Sequence, residues 1–191
     1  LGKETKTRMS TKGAIVIQPG PTAPGIQKQA QSRNAAEQSH HATIPFTDLY
    51  SSCFFNQNGQ RFIHESIAHE LYTYMAKVLY DKCNSAGTVI GGIEDHVHIL
   101  LRLSRTWTIA SVVEAVKAST SKWIITKGPE FREFAWQAGY GAFSVSRSKV
   151  EGVAGYIRDQ KEHHKKSTFE NEFRGLLTKH GVEYDEEYVW D

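Results

Sequence analysis

Two histidines separated by one residue are the side chains whose type and spacing first suggest chemistry. His96 and His98 lie in the apolar run 91–101. Side chains of an extended strand alternate between its two faces, so both imidazoles point to one side while Val97 points to the other. Two neutral imidazoles side by side form half of a metal site. A pair of solvated histidines on the wet face of a strand would have the same pattern, so further ligands must come from elsewhere.

A second group of polar side chains has the spacing of one helix face. Tyr156, Gln160 and His163 occupy positions i, i+4 and i+7, which fall within about 60° of one another on a helix. One helix would then present a phenol, an amide and an imidazole together. An ordinary surface face with a half-buried tyrosine is the alternative. Combined with the histidine pair, the stripe favours a shared functional site.

The elements that must position these groups follow from periodicity and turn signals. Strands are predicted over residues 49–55, 87–94 and 95–103 and within 136–145, and helices over 64–81 and 108–127 and from Ser148 onward. Ser148 followed by Glu151 has the pattern of a capping box. This order predicts an α+β ferredoxin-like sandwich, an antiparallel sheet with helices packed on one face. The other face would be free for ligands.

Composition divides the chain into an arm and a domain. Residues 1–43 are rich in Gly, Pro, Gln, Ser and Thr, and their six basic and two acidic residues give a charge of +4. Too little apolar surface is present there to offset chain entropy, which predicts a disordered basic arm. Residues 44–191 form the predicted domain, with a net charge of −2 and an acidic, aromatic C-terminal tail. Nucleic-acid binding by this domain would therefore depend on a local patch.

The apolar runs and the two cysteines indicate which classes of protein are excluded. The sequence has neither the roughly 20 apolar residues of a membrane span nor the apolar core of a signal peptide. We therefore expect a cytoplasmic protein that makes no contact with a membrane. Cys53 and Cys83 have no closely spaced partner, so both thiols are expected to be buried small hydrophobic side chains rather than parts of a disulfide or zinc framework.

Four segments resemble the one-tyrosine HUH transposases, small enzymes that move bacterial insertion sequences as single-stranded DNA. They are residues 92–100, 119–124, 134–146 and 156–164. These segments contain the histidine pair, a hydroxyl-rich helical run, a glycine-broken aromatic run and the tyrosine stripe. The resemblance extends from about Phe46 to the C-terminus and covers nearly all of the predicted domain.

The resemblance implies a role for each residue of the two groups. His96 and His98 would bind a divalent metal, Gln160 would be the third protein ligand, and Tyr156 would attack a DNA phosphate. That attack leaves a 5′-phosphotyrosine link and a free 3′-hydroxyl. Members usually act as dimers on single-stranded DNA with hairpins near the element ends, so a homodimer is expected. In some members the tyrosine helix completes the site of the partner.

These side chains suit that chemistry in their own right. Two imidazoles and an amide oxygen leave open positions for phosphate oxygens and water, which favours Mg²⁺ or Mn²⁺. A tyrosine with an ordinary pKa of about 10 is a poor nucleophile at pH 7, so a base or a metal must assist it. His163 lies one turn beyond Gln160 and is our candidate for relaying the proton.

A local basic patch is predicted on the second long helix and at the end of the histidine strand. Lysine and hydroxyl side chains there suit phosphate contacts. The candidate DNA-binding residues are Arg102, Arg105, Lys117, Lys122 and Lys127. A solvated helix face is the alternative for each of them. Trp136 and Tyr140 could stack on unpaired bases or belong to the core.

The sequence therefore predicts a metal-dependent DNA transposase that cleaves and rejoins single-stranded DNA beside hairpins. A domesticated relative that processes chromosomal hairpin repeats would use the same chemistry, and paired hairpin ends around the gene would favour the mobile element. The alternatives from other classes are a non-catalytic hairpin-binding protein and a metal-dependent hydrolase that uses water. Intact His96, His98, Tyr156 and Gln160 argue against the first, and retained activity in Tyr156→Phe would indicate the second.

Overall fold

Six antiparallel strands of the described residues form the sheet that positions the candidate site. The computed structural model describes residues 7–9, 14–17 and 49–186. The strands are β1 (Thr7–Met9), β2 (Ala14–Ile17), β3 (Leu49–Phe55), β4 (Ala86–Gly92), β5 (His96–Arg102) and β6 (Tyr140–Ser144). Their order is β1-β2-β6-β3-β5-β4, and each neighbouring pair is antiparallel. The last four strands in this order are those of a ferredoxin-like sheet, so the predicted fold class is confirmed.

The described residues form five α-helices beside the sheet. They are α1 (Glu65–Asp81), α2 (Ile109–Ile125), α3 (Val150–Arg158), α4 (Gln160–His163) and α5 (Phe169–Lys179). Helices α1 and α2 connect β3 to β4 and β5 to β6, as the predicted element order requires. Helix α5 is not among the helices predicted from the sequence. Among the described ranges, no helix has the length and apolar character needed to cross a bilayer.

One face of the sheet packs against α1 and α2 in the main hydrophobic core. Alternation along β5 sends Val97, Ile99 and Leu101 to this face, and all three are buried. Trp136 and Tyr140 are buried in the same core, and the Trp136 indole donates a hydrogen bond to Thr120 Oγ1 over 2.8 Å. Their core interpretation therefore holds, and base stacking by these two rings is excluded.

The opposite face of the sheet carries the histidines and is covered by helices rather than left free. Ala154 and Ile157 of α3 pack on Leu100 of β5. Helix α5 packs a second cluster on the same face, formed by Cys53, Phe143, Phe173, Leu177 and Val182. The fold class is as predicted. The face that was expected to be free for ligands is instead covered by α3 and α5, so the histidines lie in a site enclosed between sheet and helices.

Two glycines allow these helices to approach the sheet closely. A Cβ on Gly91 of β4 would lie 2.6 Å from the Ile157 carbonyl oxygen of α3. A Cβ on Gly141 of β6 would lie 2.6 Å from Cε2 of Phe173 in α5. Both distances are below normal contact, so each glycine makes room for one helix of the site.

The N-terminal prediction is corrected where the chain is described. Strands β1 and β2 pair with each other, and β2 extends the sheet beside β6, where the sequence analysis expects a disordered arm. The run Ala14–Ile17, with its three β-branched residues, forms a strand because it pairs with β6. The composition of the arm gave no indication of this distant partner. The other residues of the predicted arm, 1–43, lie outside the described residues, and their disorder stays a prediction.

Several smaller expectations meet the structure. Ser148 lies in the 3₁₀ turn Arg147–Lys149, and the residue before α3 makes no side-chain cap hydrogen bond, so the capping-box prediction is wrong. Cys53 and Cys83 are free and buried, as expected. Glu186, in the acidic tail formed by residues 183–191, is paired with Arg174 of α5. Residues 187–191 of that tail lie outside the described residues.

Candidate active site

The histidine pair is buried on the helix-covered face of β5. Opposite them on β3, Phe55 pairs with His96 and Cys53 with His98. His96 is 0% and His98 2% exposed, and the two ring centroids are 5.1 Å apart. A solvated pair on the wet face of a strand is therefore excluded. Both imidazoles are instead aimed into an enclosed polar site.

Asp95 and Asn56 hold the first histidine in place. His96 Nδ1 donates to Asp95 Oδ1 over 2.6 Å, because a carboxylate can only accept. Asn56 binds the turn before β5 through its backbone N–H to the Asp95 carbonyl oxygen and its side-chain amide to the Glu94 carbonyl oxygen. In the neutral tautomer that keeps the proton on Nδ1, Nε2 of His96 presents its lone pair to the site.

The tyrosine stripe spans two helices instead of one. Helix α3 ends before Asp159, whose φ of −94° and ψ of 16° interrupt it, and α4 begins at Gln160. Tyr156 and Gln160 nevertheless both face the histidine pair. The Tyr156 ring lies 5.9 Å from the His98 ring, centroid to centroid. Gln160 is 1% exposed, and its Oε1 lies 3.1 Å from His96 Nε2.

His163, the predicted proton relay, lies beside the tyrosine ring. The two ring centroids are 4.7 Å apart with an interplanar angle of 43°. The Tyr156 hydroxyl instead donates its hydrogen bond to Glu172 Oε1. His163 is therefore close enough to influence Tyr156, and its relay role stays a prediction.

Glu172 of α5 is the site residue that sequence reasoning missed. Its Oε1 also accepts from Gln160 Nε2 over 3.0 Å and lies 3.1 Å from His98 Nε2. Its Oε2 lies 2.7 Å from His164 Nε2 and 3.7 Å from His96 Nε2. Glu172 thus contacts every expected cation ligand and the expected nucleophile. No motif marked it, since acidic residues are common in the first turn of any helix.

The electrostatics of the site follow from burial and from this carboxylate. Burial alone would raise the pKa of Glu172, but the His98 ring and the Tyr156 hydroxyl hold it well below its usual range. Burial raises the pKa of Tyr156, and the Glu172 charge raises it further. Burial lowers the pKa of His98, against the opposing effect of Glu172. The site therefore favours an ionised glutamate and a neutral tyrosine.

The donor set fits a divalent cation. Among the described residues, His98 Nε2 is a buried atom without a hydrogen bond of acceptable geometry, although Glu172 Oε1 is near it. His96 Nε2 lies 3.1 Å from Gln160 Oε1, and in the tautomer with the proton on Nδ1 both of these atoms present lone pairs. Ligand atoms at right angles around Mg²⁺ or Mn²⁺ are about 3 Å apart, given bonds of about 2.1 Å. A divalent cation bound by His96 Nε2, His98 Nε2 and Gln160 Oε1 would give each of these three atoms a partner.

Three of the five predicted DNA-binding residues, Lys117, Lys122 and Lys127, lie on α2 or directly after it. Helix α2 packs on the opposite face of the sheet. Lys117 Nζ donates to the carbonyl oxygens of Gln137, Ala138 and Gly139, and Lys127 pairs with Glu70. The remaining three, Arg102, Arg105 and Lys122, are exposed. The three lysines therefore lie across the sheet from the candidate nucleophile, and the DNA contacts of all five residues stay a prediction.

Comparison with known proteins identifies the family. A sequence profile described as "Transposase IS200 like" matches residues 50–160, which include the histidine pair, Tyr156 and Gln160. A comparison with curated protein sequences finds no match. A candidate transposase from Deinococcus radiodurans R1 is a similar solved structure, with 16% identity, a TM-score of 0.49, and coverage of 66% of this chain and 98% of that one. Another is a REP-associated tyrosine transposase bound to a REP hairpin, with 12% identity, a TM-score of 0.49, and coverage of 71% and 74%. Because the family profile spans more than half of its residues, this chain belongs to the IS200-like transposase family.

Proposed function

We propose that this transposase cleaves and rejoins single-stranded DNA with Tyr156 as nucleophile and with a divalent cation. The observation that supports this most directly is the convergence of Tyr156, Gln160 and the buried histidine pair within one chain. Tyr156 lies in van der Waals range of His98, and Gln160 faces His96. Nucleophile and cation ligands are therefore available to the same phosphate.

The reaction exchanges one phosphodiester for another. The Tyr156 oxygen attacks phosphorus, the bond from phosphorus to the 3′-oxygen breaks, and that oxygen leaves as a 3′-hydroxyl after taking a proton. The product is a 5′-phosphotyrosine. Attack by the 3′-hydroxyl of another strand reverses these changes and releases Tyr156, so joining needs no ATP.

His96, His98 and Gln160 would hold the cation, which we propose to be Mg²⁺ or Mn²⁺. Bound there, it would stabilise the negative charge that develops on the phosphate. Asp95 fixes the His96 ring with Nε2 turned to the site. These ligands are buried between sheet and helices, where electrostatic contacts are stronger than in water.

Tyr156 must lose its proton to attack. Burial and the Glu172 charge both raise its pKa, so the free side chain is a weak nucleophile. His163 is our proposed relay because its ring lies on the tyrosine ring. His163→Ala should slow cleavage more than it weakens Mn²⁺ binding, and an equal loss of both would contradict this role.

Hairpin recognition is proposed for a separate surface. Members of the family act on hairpin ends, and Arg102, Arg105 and Lys122 are exposed cations. Since α2 lies across the sheet from Tyr156, Lys122 would contribute to hairpin affinity rather than to bond cleavage. Lys117 and Lys127 have protein partners and would contribute less. We also propose a homodimer that works on cytoplasmic DNA.

One assay separates this proposal from its alternatives. The protein is incubated with Mn²⁺ and labelled single-stranded DNA that contains a hairpin. We expect a covalent protein–DNA band that is absent in Tyr156→Phe and present in Tyr80→Phe, which changes an exposed tyrosine. Cleavage by Tyr156→Phe would indicate hydrolysis by water. Hairpin binding without any cleavage would indicate a non-catalytic binding protein.

A further inference from the structure

The carboxylate of Glu172 occupies the centre of the site and has no role in the reaction described above. Five side chains surround it: His96, His98, Tyr156, Gln160 and His164. Its position is set by packing on both sides. Phe169 lies on the His96 ring at 4.5 Å between centroids, and Phe173 is buried over Gly141. Glu172 is therefore held over the histidines by the helix that carries it.

We propose that Glu172 is a fourth protein ligand of the divalent cation, supplied by α5 of the same chain, and that His164 positions it. This inference rests on the proposed function, because it concerns the same cation. The expected ligand set of His96, His98 and Gln160 carries no negative charge. A buried divalent cation requires charge compensation, and hard cations such as Mg²⁺ and Mn²⁺ prefer carboxylate oxygen to imidazole nitrogen.

The distances around Glu172 support ligation over a purely structural role. Oε1 lies 3.1 Å from His98 Nε2, and yet no well-directed hydrogen bond joins them. Oε2 lies 3.7 Å from His96 Nε2. These separations are near the spacing of about 3 Å between ligand atoms that share one cation. His96, His164 and Glu172 also each offer a ligand atom within 4.8 Å of the others.

His164 is a positioning residue in this arrangement. Its Nε2 is 2.7 Å from Glu172 Oε2, and its ring packs against that of His96 at 4.6 Å between centroids. It therefore holds the carboxylate in a fixed orientation while Gln160 holds the other oxygen. Ligating carboxylates are commonly fixed by such hydrogen bonds.

The test measures binding of Mn²⁺ alone to the full chain, by electron paramagnetic resonance or calorimetry without DNA. Glu172→Gln should weaken Mn²⁺ binding by roughly 10-fold to 100-fold. Glu170→Gln, an exposed glutamate in the same helical turn, is the matched control and should bind like the wild type. Visible spectra of the Co²⁺-loaded proteins should differ between Glu172→Gln and wild type, because the ligand set differs.

The outcomes separate this inference from the proposed function. Wild-type Mn²⁺ affinity and an unchanged Co²⁺ spectrum in Glu172→Gln would overturn it, even if Tyr156 forms the covalent DNA adduct. If the wild type forms no covalent DNA adduct while its Mn²⁺ binding still depends on Glu172, the proposed function is contradicted and this inference stands. If Glu172→Gln does not fold, Glu172→Asp is measured instead. Its shortened carboxylate should weaken Mn²⁺ binding several-fold, and an unchanged affinity would again overturn the inference.

Discussion

Gly91→Ala tests whether close packing of α3 on the sheet places the nucleophile. Gly91 pairs with His98 across β4 and β5, and its missing side chain lets the Ile157 backbone approach. The new Cβ would lie 2.6 Å from the Ile157 carbonyl oxygen and 3.1 Å from its Cγ2. An ordinary carbon–oxygen contact is about 3.3 Å. Helix α3 must therefore retreat by about 0.7 Å, and Tyr156, the neighbour of Ile157, must move with it.

Two consequences follow from that displacement. Overpacking of this kind costs about 1–3 kcal/mol in the free energy of unfolding. A nucleophile misplaced by about 1 Å loses roughly 100-fold in rate, so a shift of this size should slow cleavage by roughly 10-fold or more. Urea denaturation measures the first effect, and single-turnover formation of the covalent DNA band measures the second.

Gly152→Ala is the matched control on the same helix. Gly152 is exposed, and a Cβ there would meet no atom within 4 Å. Replacing a helical glycine with alanine should stabilise the protein by about 0.5–1 kcal/mol, with cleavage unchanged. A Gly91→Ala protein with wild-type stability and wild-type cleavage would refute the reasoning. So would a loss of cleavage in both variants.

Two further predictions concern a buried ammonium and a helix cap. Burial lowers the pKa of Lys117 from 10.5 to about 7, so between these values the unfolded chain binds a proton that the folded chain lacks. The free energy of unfolding should therefore rise with pH across this window by up to about 1.4 kcal/mol per pH unit. In urea titrations at several pH values, Lys117→Met should show a smaller rise. An equal slope in the wild type and in Lys117→Met would contradict the lowered pKa of Lys117. Thr108 caps α2 and Thr168 caps α5, so either alanine substitution should cost about 1 kcal/mol. Calorimetry should find weaker Mn²⁺ binding only in Thr168→Ala, whose helix carries Glu172, and equal Mn²⁺ affinity in the two variants would contradict this.

Local pattern was enough to predict the two expected groups of the site. Because strand side chains alternate strictly, His96 and His98 had to share a face wherever β5 lay in the sheet. Tyr156 and Gln160 are four residues apart in sequence, and both donate to Glu172 Oε1 although the helix is interrupted at Asp159. Periodicity therefore predicted which side chains could meet, and family resemblance indicated what they would do.

Contacts between distant segments were not predictable in this way. Glu172 reaches the histidines because Phe173 packs over Gly141, 32 residues earlier in the chain. No periodic signal drew attention to α5, and acidic residues in its first turn suit any helix N-terminus. Strand β2 likewise depends on pairing with β6, more than 120 residues away. Helix α5 covers the histidine face of the sheet because of such contacts between distant segments, and local composition does not predict them.

The central claim is that Tyr156 becomes covalently joined to the 5′-phosphate of cleaved DNA. Its most direct test is mass spectrometry of the protease-digested adduct, formed with Mn²⁺ and a single-stranded hairpin substrate labelled on either side of the cut. We predict a nucleotide on the peptide that contains Tyr156, with label retained only from the 3′-side fragment. A nucleotide on another residue, a 3′-phosphate link, or cut DNA without any adduct would contradict the account.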